Sequence, residues 1–129
     1  MYQRPSPRSL LCINSDIVLV QEHWLKPFEL SKFSGINTQY DYYSKSAMEN
    51  ECETDIFSGR PYGGICIMFN KNVFEFVELV GYDEHCRIMC VRLKYAGKYY
   101  CVFNVYLPCQ GSLCSEDFEL TLVDICSFI

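Results

Sequence analysis

Ile17, Val18, Leu19 and Val20 stand together without polar alternation, and the run then breaks on Gln21, Glu22 and His23. An uninterrupted apolar run of this length predicts a strand over Asp16 to Glu22, covered on both faces. Further along, "TQYDYYSKS" alternates aromatic and polar positions, "PYGGICIMFNKN" restarts apolar chain after a double glycine, and "VFEFVELV" alternates cleanly. Each predicts a strand. In the last of these, Val73, Glu75 and Val77 share one side, and Phe74, Phe76 and Glu78 the other. From Arg87 to Pro108, "RIMCVRLKY" and "KYYCVFNVYLP" flank Ala96-Gly97, which predicts a hairpin.

Helical signals sit near the two ends and once between strands. "SPRSLLCINSD" predicts a short helix capped by Ser6 with Pro7 at its first position. "KPFELSKFSGI" holds one helical turn before Gly35, and residues 47 to 60, with four acids and a Ser-Gly pair, predict an exposed loop. In "SEDFELTLVDICSFI", Ser115 is a natural N-cap, Glu116 and Asp117 fall in the first turn, and Phe118, Leu122, Ile125 and Ile129 recur at helical spacing. The order predicts one domain of mixed α and β type over residues 9–129, preceded by a disordered polar leader, 1–8.

Composition narrows the class. The 129 residues are 50% hydrophobic and 16% aromatic, which excludes a disordered chain. The formal net charge of −5 argues against a non-specific nucleic-acid binder with a basic face. An acidic nuclease is still compatible with that charge, because metal ions can carry the phosphate contacts while carboxylates hold the metal. Nine cysteines without a recognisable signal peptide predict a reducing, intracellular setting, nuclear or cytoplasmic, and no apolar run is long enough to predict a membrane partner. Cys66, Cys90 and Cys101 fall in strand-like runs, where thiols are expected to be buried.

Three segments carry candidate chemistry. A carboxylate at the end of a buried strand, as expected of Glu22, needs an Arg, a cluster of backbone amides or a divalent cation to offset its desolvation. In "FNVYLP", period-two alternation puts Asn104 and Tyr106 on one face at a strand end, where an amide and a phenol can position a phosphate oxygen. The bland alternative is an edge Asn beside a half-buried Tyr. "GRPYGG" places Arg60 and Tyr62 beside glycines that permit close backbone approach and a phosphate contact from Arg60, and taken alone it reads first as a plain turn. His23 and His85 are the histidines available as general bases, His85 lying in a polar turn.

Taken in order, "DIVLVQEHWL", "GRPYGGICIMFNK", "RIMCVRL" and "YYCVFNVYLP" followed by a helix resemble the endonuclease/exonuclease/phosphatase family. They are most similar to the apurinic-type endonuclease domain of non-long-terminal-repeat retrotransposons. The resemblance implies an incomplete four-layer α/β/β/α sandwich of the deoxyribonuclease type and Mg²⁺- or Mn²⁺-dependent hydrolysis of phosphodiesters, with DNA as substrate. It implies Glu22 as metal ligand and Tyr106 as active-site tyrosine with Asn104 supporting it; His23, Arg60 and Tyr62 are the expected substrate-binding residues. In a full-length relative a reverse transcriptase is fused to such a domain. The family's opening Asn strand, its Asp-x-Asn strand and its terminal Asp-His pair have no counterpart in these 129 residues, so the chain is expected to be a fragment, inactive alone. A phosphoinositide or sphingolipid phosphoesterase and a non-catalytic interaction module are the alternatives.

Overall fold

A computed structural model describes residues 15–48, 62–84, 86–107 and 123. The expected helices at Ser6 and Ser115, the leader, most of the acidic loop, Arg60 and His85 lie outside the described residues.

Six strands and one 3₁₀ helix make up the described chain: β1 Ile17–Gln21, the helix Pro27–Gly35, β2 Tyr40–Lys45, β3 Ile65–Asn70, β4 Phe76–Tyr82, β5 Ile88–Tyr95 and β6 Lys98–Val105. They form two three-stranded antiparallel sheets, ordered β1-β3-β2 and β4-β5-β6. Ile65 and Ile67 of β3 pack against Met89 and Val91 of β5, with Ile17, Tyr43, Val77, Leu79 and Val102 around them. The opposite face of the first sheet buries Cys66 and Met68 under Phe33 of the 3₁₀ helix, with Val18, Val20 and Leu30 alongside.

The expected four-layer α/β/β/α sandwich is therefore not what these residues build. The described chain is dominated by strands: two small sheets pack on each other, and a single 3₁₀ helix lies on one outer face. The burial expected of the first apolar run belongs to another strand. β1 lies at a sheet edge with Leu19 44% exposed, while Ile65–Phe69 of β3 are buried throughout. Only the central strand of a three-stranded sheet has neighbours on both sides as well as both faces covered. The β4 alternation begins later than the pattern predicts, at Phe76, and is broken by a bulge between Leu79 and Gly81. Cys101, expected inside, is exposed, and so is Trp24, at 51%.

Local chemistry explains the other features. Pro27 opens the 3₁₀ helix, and Glu29 accepts from the Lys26 amide and pairs with Lys32 at 2.7 Å. The Lys32 hydrogen bond is the main reason the Glu29 carboxyl lies below its usual range. The β5–β6 hairpin turns on Ala96 (φ 50°) and Gly97 (φ 78°), and this pair of left-handed residues matches the twist of the flanking strands. No described helix is long and apolar enough to cross a membrane.

Candidate functional site

The two sheets are clipped together at one end by side chains from β6 and β1. Asn104 is completely buried; its Nδ2 donates to the carbonyls of Val20 (3.0 Å) and Cys66 (2.9 Å), and its Oδ1 accepts from Gln21 Nε2 at 3.1 Å. Gln21 Nε2 also donates to the Val105 carbonyl at 2.6 Å. This amide ties a strand of the second sheet to two strands of the first. The side chain is spent on structure and reaches no open surface.

One step further along both strands, Tyr106 and Glu22 meet. The Tyr106 amide donates to the Arg87 carbonyl at 2.7 Å, continuing the β5–β6 ladder past Val105, and the Tyr106 hydroxyl donates to Glu22 Oε1 at 2.9 Å. These residues are 84 positions apart in the chain. Glu22 reaches the phenol from an uncommon backbone: its φ is 51°, and Trp24 follows at 59°. A non-glycine residue held there costs about 1–3 kcal/mol, and such strain clusters at functional sites. The Glu22 amide donates to the Gly64 carbonyl (2.8 Å) and the Trp24 amide to that of Gly63 (2.9 Å), which hold the twisted segment in place.

The double glycine of "GRPYGG" is explained by what lies under it. A Cβ on Gly64, whose φ is 97°, would come within 2.2 Å of the His23 ring, and one on Gly63 within 2.7 Å of the Ala47 Cβ. His23 is 6% exposed and fully engaged. Its Nδ1 accepts from the Leu25 amide at 2.9 Å, which leaves the hydrogen on Nε2 to donate to the Lys45 carbonyl at 3.0 Å. Phe33 packs edge-on against the ring at 5.3 Å. His23 is thus a pillar beneath the glycines, and its ring nitrogens face protein backbone and, at 3.3 Å from Nε2, the Ser44 hydroxyl.

Above this support lies an open cleft of about 430 Å³, lined by Glu22, Tyr62, Gly63, Gly64, Glu84, Arg87 and Tyr106, with Ala47 and Cys86 completing its wall. Glu22, Tyr62 and Tyr106, singled out in sequence, come together here; Asn104 and His23 lie beneath as scaffold. Arg87 and Glu84 were missed. They arrive through the β4–β5 turn, where Asp83 Oδ1 accepts from the Arg87 amide (2.7 Å) and the Ile88 amide (2.8 Å), and Cys86 takes φ 56°. Asp followed by a polar stretch signals such a side-chain-to-backbone turn, but nothing in the local pattern says that it closes over Glu22.

The cleft offers hard oxygen donors from a carboxylate and a phenol, a second carboxylate in its wall, and a guanidinium. One or two carboxylates are what Mg²⁺ usually takes from a protein, with water and substrate phosphate filling the rest of its shell. No group of three or more metal-ligating His, Cys, Asp or Glu side chains occurs among the described residues. The described donors do not amount to a closed protein cage. No protein-family model and no curated protein matches the chain.

Proposed function

We propose that this chain carries the metal- and phosphate-positioning part of a divalent-cation-dependent phosphodiester hydrolase acting on DNA, of the endonuclease/exonuclease/phosphatase kind that its motifs resemble. The observation that carries the reading is the Tyr106–Glu22 hydrogen bond across the two sheets, made by a glutamate in a strained backbone at the mouth of a cleft. Glu22 is the ligand for Mg²⁺ or Mn²⁺, which when bound neutralises charge building on the phosphate. Tyr106, by donating its hydroxyl hydrogen to Glu22, orients the carboxylate toward the cation. Arg87 presents a cation to a phosphate oxygen, and Tyr62 gives an aromatic wall to the sugar or base.

Hydrolysis also needs a base to activate water, a role that the resemblance gives to an Asp-His pair. His23 is locked in backbone hydrogen bonds, and the sequence contains no Asp-His dipeptide. The 129-residue polypeptide therefore binds metal and phosphate weakly and does not cleave by itself. Titration calorimetry with Mg²⁺ tests this: binding should appear in the wild type, vanish in Glu22→Gln and weaken in Tyr106→Phe, while supercoiled plasmid stays intact. Nicking by the isolated chain that Tyr106→Phe abolishes would overturn the inactivity, and binding unchanged by Glu22→Gln would overturn the site. A non-catalytic interaction module is the second reading, favoured by the lack of a three-ligand metal group among the described residues, and it expects no Mg²⁺ heat at all.

A further inference from the structure

Away from the cleft, on the outer face of the second sheet, two cysteines share one patch of the β5–β6 ladder. In register, Cys90 stands opposite Phe103 and Arg92 opposite Cys101, so Cys90 and Cys101 are diagonal neighbours. Strand alternation puts both on the face opposite to Met89, Val91 and Val102, which point into the core between the sheets. Both thiols are free; Cys101 is exposed and Cys90 is buried. Burial and then the charge and hydrogen bond of Cys101 push the Cys90 thiol up to about 11.

We infer that Cys90 and Cys101 form a peroxide-sensitive thiol pair that closes reversibly to a cross-strand disulfide. The two thiols divide the work by environment. Cys101 is the accessible sulfur; Arg92 stands opposite it in the ladder, with its guanidinium held by Glu78 at 2.6 Å and 5.3 Å from the Tyr99 ring centroid. Cys90, kept out of solvent, is protected from direct oxidation, and it resolves the sulfenic acid only as it gives up its proton in the attack.

The chemistry balances with hydrogen peroxide as oxidant. The Cys101 sulfur attacks one peroxide oxygen, the O–O bond breaks, and sulfenic acid forms with release of one water. The Cys90 sulfur then attacks the Cys101 sulfur; the S–S bond forms, the S–O bond breaks, and the departing hydroxide leaves as water with the Cys90 proton. Two thiols are oxidised by two electrons in total, and the peroxide is reduced by two. Diagonal positions in a sheet lie about 7–8 Å apart at Cα, beyond the relaxed span of a disulfide, so closure must draw β6 toward β5. In the described residues β6 is the last strand of its sheet, paired on one side only, and Cys101 lies toward its hairpin end, three residues from the Asn104 anchor. The resulting bond is strained and easily reduced, as a reversible one must be.

Peptide mapping of the full chain tests the pair. After brief exposure to stoichiometric hydrogen peroxide, alkylation and digestion with trypsin and chymotrypsin, the expected product is residues 88–92 joined to residues 101–103, two hydrogens lighter than the free peptides and restored by dithiothreitol. Cys101→Ser should abolish the link and leave Cys90 a free, alkylatable thiol. Cys90→Ala should leave sulfenic acid on Cys101, trapped by dimedone. Cross-links that join Cys101 to another cysteine of the same or a second chain, or a Cys90 that stays fully alkylatable in the oxidised wild type, would overturn the inference.

Discussion

Replacing Asn104 with Ala removes a side chain that bonds β6 to both β1 and β3. Two hydrogen bonds from Nδ2, at 3.0 and 2.9 Å, and one accepted from Gln21 at 3.1 Å are lost from a site with no solvent exposure. Each such bond is worth about 1 kcal/mol net, and the space left by the amide adds a cavity term, so the expected loss is about 2–4 kcal/mol. Asn104→Asp is the sharper variant. It is nearly isosteric, but it turns the two donated bonds into carboxylate oxygens facing carbonyl oxygens, and its loss should exceed that of Ala by about 1–3 kcal/mol. Urea unfolding followed by tryptophan fluorescence reads both, with midpoints falling in the order wild type, Ala, Asp at similar slope. A loss below about 1 kcal/mol for Ala, or an Asp variant as stable as wild type, would refute the clip.

Other expectations follow from the same geometry. Glu22→Gly should be more stable than Glu22→Ala by about 1 kcal/mol, because only glycine takes φ 51° without strain; equal stability in thermal melts would deny the strain. Gly64→Ala should cost about 2–4 kcal/mol, from a left-handed Ala plus a Cβ driven into the His23 ring, and a variant that melts at the wild-type temperature would contradict that close approach. The depressed Glu29 carboxyl favours the folded state above the ordinary carboxylate range, and that contribution fades as pH falls through its lowered folded value. Amide exchange over Pro27–Gly35 should therefore quicken with acid, after correction for intrinsic rates, and do so less in Lys32→Ala.

Period-two alternation was enough to find the β5–β6 hairpin, because its turn needs two left-handed residues and Ala96-Gly97 announces them. It also put Tyr106 and Glu22 at strand ends. Alternation could not tell which apolar run is central: "IVLV" and "ICIMF" read alike, and pairing order alone makes β3 the buried strand and β1 an edge. The same limit hid the role of Asn104. Its shared face with Tyr106 was legible, but a two-residue difference along β6 separates a sealed amide from a phenol at the cleft mouth, and only the packing of the first sheet decides that. Arg87 and Glu84 escaped notice because a turn built on Asp83 brings them over a residue more than sixty positions away. The four-layer architecture came from the resemblance rather than from these patterns, and it is the part the described residues do not form.

Mn²⁺ in place of Mg²⁺ offers the most direct test of the site, because paramagnetic broadening falls off steeply with distance and reports where the ion sits. The account predicts that substoichiometric Mn²⁺ broadens the Tyr106 ring signals and the amides of Glu22, Gly63 and Gly64, and that Glu22→Gln removes the effect. Broadening centred on other acidic residues, with Tyr106 sharp and Glu22→Gln without consequence, would contradict it.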